Sequence, residues 1–192
     1  MFGAGKNNIY VFIFPCLLFF CLSVINCSSS KSSLSSSHSS QNDCDKLKPF
    51  TVRGDSLQGV LNASDEINAA PDYYQCHEIE RNDVILYQYA GNPVPIVKIV
   101  KGIPGDTFEL RERDGNFELF INDQLVKTST GKPYSFGSRA KRMLALYERD
   151  YKNKIPEKAY LILGNLTKGS LDSSRFGLVH EQDILGKVIA KR

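Results

Sequence analysis

Short apolar runs, some alternating with polar residues and some continuous, recur between residues 48 and 192. Alternation with a period of two is typical of half-buried strands, and short continuous runs rich in Val, Ile and aromatic residues are typical of buried ones. The hairpin signal Asp114-Gly115 precedes one of these runs. Strands are therefore predicted at residues 50–52, 83–89, 96–100, 107–110, 117–121, 159–163 and 183–190.

The spacing of apolar residues changes between residues 138 and 151. Met143, Tyr147 and Tyr151 lie four positions apart, with Leu144 beside them, and this is the spacing of one face of a helix. The chain after the N-terminal segments is therefore predicted to form a mainly β domain. We expect an antiparallel sheet or a barrel-like arrangement with one short helical insertion.

A different pattern occupies the N-terminus, where residues 9–25 carry no charged side chain and Lys6 precedes them. A span of about 17–25 apolar residues can cross a bilayer, whereas the core of a secretory signal is usually about 7–15 residues long. The sequence therefore predicts a short tail of residues 1–8, followed by a transmembrane helix or export signal at residues 9–27. The positive charge ahead of the run favours a cytoplasmic N-terminus and an exported remainder.

The same segment also fits two processed forms. Residues 24–27 (VINC), followed by serines, have the layout of a lipid-attachment signal at Cys27, although Asn26 stands where a small residue is expected. Plain cleavage near Ser23 is the other form. All three forms export residues 28–192, and the retained anchor predicts a single-pass membrane protein with its domain on the extracytoplasmic side.

A serine-rich tract separates the apolar run from the rest of the chain. Residues 28–40 hold ten serines in thirteen positions, and such a tract cannot form a hydrophobic core. Residues 28–47 are therefore predicted to be a flexible linker. The domain of residues 48–192 that follows is long enough for one core.

The charge of the chain gives no reason to expect a nucleic-acid partner. The formal net charge is +3, and from residue 41 onward 22 basic side chains stand against 21 acidic ones. Binding to a phosphate backbone calls for an excess of basic side chains on one surface. A partner of another kind is therefore expected.

Three of the five cysteines lie in or directly after the apolar run, and only Cys44 and Cys76 belong to the exported part. Two cysteines in an oxidising compartment suggest one disulfide, which would close a loop around Ser56. Two free thiols are the alternative, because sequence alone cannot prove connectivity. No Cys/His cluster has the spacing of metal ligands, so neither a metal nor another cofactor is expected.

A serine and a lysine carry the candidate chemistry. Ser56 lies in a turn that begins at Gly54, and Lys98 lies inside the apolar strand of residues 96–100. A hydroxyl nucleophile needs a base, and a lysine can serve as that base only when it is neutral. Burial among apolar neighbours favours the neutral amine because desolvation lowers its pKa.

Each of these residues also has a purely structural interpretation. Lysines on an edge strand discourage aggregation, and a serine after Gly-Asp is common in turns. The period of two places Lys98 and Lys101 on opposite faces, with Lys101 near the strand end, so Lys98 is the stronger candidate base. Catalysis through His77 or His180 is disfavoured because neither lies in a recognisable setting.

Five segments stand in order along the chain: residues 54–61 (GDSLQGVL), 97–106 (VKIVKGIPGD), 155–165 (IPEKAYLILGN), 169–179 (GSLDSSRFGLV) and 183–187 (DILGK). Together they resemble the type I signal peptidase (leader peptidase) family, whose members are membrane-anchored serine/lysine endopeptidases. The resemblance covers about residues 48–192, and the ordered set is far more specific than any single segment. Leu57 stands where the family has Met and Gly59 where it has Pro, so the chain resembles a divergent member.

The resemblance implies that Ser56 is the nucleophile and Lys98 the general base. The backbone N–H of Ser56 would form part of the oxyanion hole. Many members of the family carry a second hydroxyl donor two residues before the nucleophile. That position is Gly54 here, so the resemblance does not identify the second donor.

The resemblance also implies a supporting loop. Ser170 would hydrogen-bond the amine of Lys98 and orient it. Asp172, together with Arg175 or Ser174, would hold that loop in place through a charge pair.

The implied function is removal of signal (leader) peptides from exported precursor proteins through an acyl-enzyme, with the precursors and the lipid bilayer as partners. A pilin- or conjugation-type processing peptidase of the same dyad class is one alternative. A non-catalytic anchored β module that binds peptides is another. The joint presence of Ser56, Lys98 and Ser170 argues against the second alternative.

Overall fold

A computed structural model of the chain describes residues 43–167 and 170–192, all within the second of two units, Ser35–Arg192. The transmembrane helix or export signal predicted at residues 9–27 and the serine-rich tract of residues 28–40 lie outside the described residues. Within the described part, no helix is both long enough and apolar enough to span a membrane.

Strands make up most of the elements in the described part of the chain, and 3-10 turns lie at Tyr73–Gln75 and Glu181–Asp183. In chain order they are β1 (Lys48–Thr51), β2 (Glu66–Ala70), β3 (Val84–Tyr87), β4 (Ile96–Gly102), β5 (Phe108–Arg113), β6 (Asn116–Ile121), β7 (Gln124–Leu125), β8 (Ser135–Phe136), α1 (Ser138–Asp150), β9 (Ala159–Leu163), α2 (Ser173–Phe176), β10 (Val179–His180) and β11 (Ile184–Lys191).

Seven strands form one antiparallel sheet in the order β1-β2-β11-β3-β4-β9-β10. β1 and β10 are its edges, so the described strands form an open sheet rather than a closed barrel. The strands β5 to β8 form a smaller antiparallel sheet. The predicted mainly antiparallel β fold with a short helix is confirmed, and the open sheet replaces the barrel-like alternative.

The smaller sheet is built on the predicted hairpin. Asp114 and Gly115 have positive φ angles of 49° and 73°, as a two-residue type I′ turn requires. Strands β5 and β6 pair along their whole length toward this turn, ending at Arg113 and Asn116. Both strands extend nearer to the turn than the apolar pattern indicates, because main-chain pairing continues where the side chains are exposed and charged.

The helix α1 packs beside this smaller sheet. Leu144 is fully buried and shares an apolar cluster with Phe108 and Leu119. The Glu148 carboxylate accepts a hydrogen bond from Leu110 N–H at 2.8 Å. One apolar and one polar contact thus fix the helix against β5, as the spacing of its apolar residues indicates.

Strand β2, with the sequence EINAA, has no counterpart among the predicted elements. It lies between β1 and β11, and Ile67, Ala69 and Ala70 are fully buried. Alanine is depleted in strands, so this segment carries a weak strand signal, yet its small side chains fit where neighbouring backbone comes close. His180, which lies outside every predicted element, pairs with Ala159 at the sheet edge.

Strand β4, which carries the candidate base, is covered on both faces. Val100 belongs to one apolar cluster and Ile99 to another, as a period of two predicts. The flanking strands are β3 and β9, but β9 ends at Leu163, opposite Ile99. Lys98 is therefore inside a largely apolar region, at the point where one neighbouring strand ends.

The structure joins Cys44 and Cys76 by a disulfide. Beside the disulfide, His77 Nε2 lies 3.1 Å from Asp45 Oδ1. Closing a loop of this length is worth about 4 kcal/mol in the chain-entropy account. The covalent loop encloses the turn that carries Ser56.

Gly186 provides a test of how closely β11 approaches β2. A Cβ atom at residue 186 would meet the backbone of Ala70 and Pro71, with Pro71 Cα at 2.6 Å. Because backbone atoms cannot rotate away, Gly186→Ala should lower the free energy of unfolding by about 1–3 kcal/mol. Urea titration of the full chain measures this change.

Gly137→Ala is the matched control, since no atom lies within 4 Å of a Cβ at residue 137. Its cost should stay below about 1 kcal/mol, as expected for a change at a helix N-cap. Equal losses of stability in the two variants would contradict the close approach of the two strands.

Candidate active site

The candidate nucleophile is held in a turn that the core anchors. Leu61 N–H donates to Leu57 O at 2.8 Å. The Leu57 side chain is buried and shares an apolar cluster with Val52 and Ile99. Ser56, the residue before this anchor, is half-buried.

The side chains of Ser56 and Lys98 meet. Lys98 Nζ donates to Ser56 Oγ at 2.9 Å and to Val97 O at 2.7 Å. Lys98 is only 3% exposed. The hydrogen bond to Val97 O fixes the direction of the amine. The sequence pattern does not predict this hydrogen bond.

Burial lowers the pKa of Lys98 from 10.5 to about 8, and the nearby Asp172 carboxylate opposes that change. Desolvation penalises the charged ammonium more than this single carboxylate stabilises it. At neutral pH roughly one tenth of the Lys98 side chains are therefore uncharged. The uncharged fraction, which is the form that a general base requires, is thus about 300-fold larger than for an amine with a pKa of 10.5.

Lys101 lies elsewhere. Its Nζ donates to Asn82 Oδ1 at 3.1 Å, and the side chain is half-buried. Burial lowers its pKa as well, but no hydrogen bond joins it to Ser56 among the described residues. The strand faces therefore separate the two lysines as the period of two predicts.

Ser170 lies beside these residues without joining their hydrogen bonds. It is 5% exposed, and its Oγ has no hydrogen-bond partner among the described residues, so the expected bond to Lys98 is not formed there. Gly164 packs between Ser170 and the nucleophile: a Cβ at residue 164 would meet Ser170 Oγ and would lie 2.7 Å from Ser56 O. Tyr134, fully buried, donates to Gly164 O at 2.6 Å. Only a glycine leaves room for all these groups.

Asp172 holds the loop through neutral donors rather than through a charge pair. Its buried Oδ2 accepts from Gly164 N–H at 3.0 Å. Its Oδ1 accepts from the N–H and the hydroxyl of Ser174 at 3.0 and 2.7 Å, which caps α2. Arg175 is exposed and forms no ion pair with Asp172 in the described part of the chain. Of the two expected partners of Asp172, the structure provides Ser174.

Asn165 is a site residue that the sequence analysis did not identify. Its N–H donates to Ser56 O at 2.7 Å, and its Nδ2 donates to Gln58 O at 2.8 Å and Ser129 Oγ at 2.7 Å. Its Oδ1 accepts from Ser129 N–H at 2.8 Å. The backbone and the side chain of Asn165 therefore join the turn of Ser56 to the segment of Ser129 and to the end of β9. The available signal was a polar residue immediately after an apolar strand and a glycine.

The oxyanion donor that the resemblance implies is the backbone N–H of Ser56, and Gly54 stands where many relatives carry a second donor. Among the described residues, the Ser56 N–H donates no hydrogen bond to another protein group. Gly54 has a φ of +77°, and no atom lies within 4 Å of the place where its Cβ would stand. Gly54 thus has no side-chain donor, and any second donor at this point is a backbone N–H.

The two histidines of the described residues make other contacts. The His77 ring stacks on Tyr73 with ring centroids 4.1 Å apart, and His180 Nδ1 accepts from Gln182 N–H at 3.2 Å. No group of three or more His, Cys, Asp or Glu side chains in residues 43–167 and 170–192 could hold a metal ion. Among the described residues, no hydrogen bond joins either histidine to Ser56 or Lys98.

A family model described as signal peptidase, peptidase S26, matches residues 45–191. The chain belongs to this family. Signal peptidase I U of Bacillus subtilis strain 168 is 28% identical over 140 residues, which cover 72% of each chain. Signal peptidase IB of Staphylococcus aureus strain Mu50 is 27% identical over 151 residues, covering 74% of this chain and 75% of that one. The family predicted from the five ordered segments is confirmed, and these identities make the chain a divergent member.

One solved structure, a signal peptidase I from Enterococcus faecalis V583, is 25% identical to this chain. The structural alignment covers 59% of this chain and 98% of the Enterococcus faecalis chain, with a TM-score of 0.41.

The lowered pKa of Lys98 predicts how stability depends on pH. The amine titrates near 10.5 in the unfolded chain and near 8 in the folded one. Between these values the unfolded state binds more protons, so stability rises with pH there. Relative to Lys98→Met, the free energy of unfolding of the unmodified chain should rise by about 3 kcal/mol from about pH 7 to about pH 11.

Chemical denaturation of both proteins across this pH range measures the difference. Lys48→Met changes an exposed lysine on β1 and is the matched control. Its difference from the unmodified chain should stay within about 0.5 kcal/mol at every pH. A pH-independent difference for Lys98→Met would contradict a pKa lowered by burial.

Proposed function

We propose that this chain is a serine endopeptidase that removes signal (leader) peptides from exported precursor proteins, with Ser56 as nucleophile and Lys98 as general base. The observation that carries the proposal is the 2.9 Å contact between Lys98 Nζ and Ser56 Oγ in a buried setting. Membership of the signal peptidase family supports the reaction class. The names of the relatives, signal peptidase I U and IB, support the substrate class.

The first half of the reaction is acylation. When Lys98 is neutral, its Nζ can accept the Ser56 hydroxyl proton across the same 2.9 Å. The bond from Nζ to Val97 O directs one amine hydrogen away from the serine, which favours presentation of the lone pair to the hydroxyl. Ser56 Oγ then bonds to the scissile carbonyl carbon, and the C–N bond breaks as Lys98 returns the proton to the leaving amine.

The second half is hydrolysis of the acyl-enzyme. Lys98 takes a proton from a water molecule, the hydroxide attacks the ester carbon, and Ser56 Oγ leaves with the proton that the lysine returns. Negative charge develops on the same carbonyl oxygen in both halves. The backbone N–H of Ser56, which has no competing acceptor among the described residues, is the proposed donor to that oxygen.

The edge of β4 offers a place for the substrate backbone. Since β9 ends opposite Ile99, Ile96 and Val97 have a strand partner among the described residues only on the β3 side. An extended peptide can pair with such an unpaired edge. A cavity of about 340 Å³ beside it is lined mainly by apolar residues, Phe50 and Val97 among them, and suits small side chains near the cut.

The supporting residues act through Gly164 in this proposal. Asp172 fixes Gly164 by the 3.0 Å bond to its N–H and limits how far the pKa of Lys98 falls. Ser170 keeps its expected role as a partner of the amine, because its hydroxyl is uncommitted among the described residues. Arg175 contributes its backbone N–H, which donates to Asp172 O at 2.8 Å, rather than its side chain.

The proposal also assigns the enzyme to a membrane. Residues 9–27 serve as a single transmembrane anchor after the tail of residues 1–8, and residues 28–47 link it to the catalytic domain. The domain then lies on the extracytoplasmic side, where precursors emerge. The disulfide between Cys44 and Cys76 supports an oxidising compartment.

Substitution of either member of the pair tests the mechanism. Ser56→Ala removes the nucleophile and Lys98→Met removes the base, so each should lower the cleavage rate of an exported precursor by at least about 10³-fold. The assay incubates the purified full chain with the precursor in detergent, quantifies the product and sequences its new N-terminus.

Lys101→Met is the matched control, because its amine bonds Asn82 rather than Ser56. It should retain the cleavage rate within about threefold. Undiminished cleavage by the Lys98 variant would overturn the assignment of the base.

The pH dependence of the rate is a separate prediction. Only neutral Lys98 accepts the serine proton, and its pKa is about 8. The value of kcat/KM should therefore rise about tenfold per pH unit below this pKa and level off above it. A pH–rate profile that stays flat from about pH 6 to about pH 9 would speak against a lysine base.

A further inference from the structure

A cavity of about 900 Å³ lies just beyond the end of β4, where Ile103 and Pro104 line it. The 3-10 turns that precede β3 and β11 contribute to its walls, and so does Tyr160 of β9. Neither Ser56 nor Lys98 lines it. The cavity is therefore separate from the candidate active site, and its volume is within the range of ligand-binding clefts.

Acidic side chains predominate on the walls of this cavity. Glu78, Glu157, Glu181 and Asp72 line it, whereas no lysine or arginine of the described residues does. Glu181 Oε1 lies 3.3 Å from Lys158 Nζ. Glu78 and Glu157 are exposed and form no ion pair in the described part of the chain. The walls therefore carry a net negative charge.

Tyr160 is an independent observation that points to a ligand. The residue is only 7% exposed and lines the cavity, yet its hydroxyl forms no hydrogen bond within the described residues. A tyrosine that buries its ring usually finds a partner for its hydroxyl. The oxygen is not enclosed, because Ser170 Oγ is the only enclosed side-chain oxygen or nitrogen without a partner among the described residues.

The hydroxyl of Tyr160 faces the acidic walls. Burial raises the pKa of this hydroxyl, and the carboxylates of Glu181, Glu78 and Glu157 raise it further. All three carboxylates line the cavity, so the buried ring presents its hydroxyl toward the same space. The oxygen stays protonated, and its lone pairs are available to a donor.

Two other polar side chains of the lining already have partners. Tyr74 donates its hydroxyl hydrogen to Asp83 Oδ2 at 2.9 Å. His77 Nε2 lies 3.1 Å from Asp45 Oδ1. Tyr160 therefore differs from both in having a hydroxyl that is free to meet a ligand.

The groups that face this cavity suit a guanidinium. Ionised carboxylates only accept hydrogen bonds, and an arginine side chain carries five N–H donors in a planar fork and no acceptor. A metal ion is a poorer match, because no group of three or more His, Cys, Asp or Glu side chains in the described residues could hold one. Apolar lining residues, Ile103 and Ile184 among them, can pack against the aliphatic stem and against neighbouring side chains.

We propose that this cavity binds an arginine-bearing peptide segment of a partner protein, with the guanidinium held by Glu78, Glu157 and Tyr160. A peptide fits better than a small cation because the cavity is larger than one side chain needs and has apolar as well as acidic walls. The proposal does not depend on the peptidase function, since the cavity shares neither Ser56 nor Lys98.

The test measures peptide binding to the purified full chain in detergent, in the Ser56→Ala background so that no peptide is cut. The probe is a fluorescein-labelled peptide, Gly-Leu-Arg-Leu-Gly, and its reference carries citrulline, an uncharged residue of the same shape, in place of arginine. The arginine peptide should bind about tenfold tighter, because hydrogen bonds between charged groups are the stronger ones. Fluorescence anisotropy measures the ratio, which should shrink as the salt concentration rises.

Variants of the cavity wall identify the source of the preference. Glu78→Gln and Glu157→Gln should each lower the ratio about threefold, as expected for exposed charges, and the double variant should remove it. Tyr160→Phe keeps the buried ring and should lower the ratio about threefold through loss of the hydroxyl. Glu112→Gln changes an exposed glutamate of β5 that does not line the cavity, and should keep the ratio.

Equal or absent binding of the arginine and citrulline peptides would overturn the site. A ratio that survives the double variant, or that falls as far in Glu112→Gln, would overturn it too. An unchanged ratio in Tyr160→Phe would overturn the assignment of the hydroxyl. Competition by free arginine amide as strong as that by the unlabelled peptide would overturn a peptide segment as the occupant.

Discussion

The burial of one amine beside one hydroxyl is the constraint on which the site depends. A lysine with a lowered pKa costs the folded state about 3 kcal/mol at neutral pH, and the surrounding apolar packing offsets that cost. The same packing brings the partner into place, because Leu57, next to the nucleophile, and Ile99, next to the base, belong to one cluster. Desolvation of the candidate base and positioning of the candidate nucleophile thus have a common origin in the core.

Gly164 is the point at which the remaining parts of the site converge. Its N–H bonds Asp172, its carbonyl accepts from Tyr134, and its missing side chain leaves room for Ser170 and for the backbone of Ser56. The hydrogen-bond donors to Asp172, from Gly164 and Ser174, are neutral. This is consistent with a partly uncharged Lys98 amine nearby, because a fully charged amine would compete for the same carboxylate. The segment that begins at Gly164, directly after β9, therefore supplies several of the contacts of the candidate site.

Local patterns predicted the local parts of this molecule. Spacing over a few residues predicts the hairpin at Asp114 and the helix α1. It also predicts that Lys98 and Lys101 lie on opposite faces of β4. Strand β2 was not predicted because alanine carries a weak strand signal. Its alanines fit there because β2 lies between two neighbouring strands, β1 and β11. The pairing of Asp172 with Ser174 rather than Arg175 depends on cap geometry at α2, and the network of Asn165 depends on partners far away in sequence; neither is visible in a pattern of residue types.

The network of Asn165 has a consequence for the timing of synthesis. Its bond to Gln58 spans 107 positions, and a polypeptide grows from its N-terminus. The serine is therefore made long before the amide that locks its turn and the carboxylate that fixes the adjacent glycine. During synthesis the growing chain holds a serine and a lysine but no assembled centre. A fragment that stops before β9 thus lacks Asn165 and Asp172, and with them the contacts that hold Ser56 O and Gly164 in the folded chain.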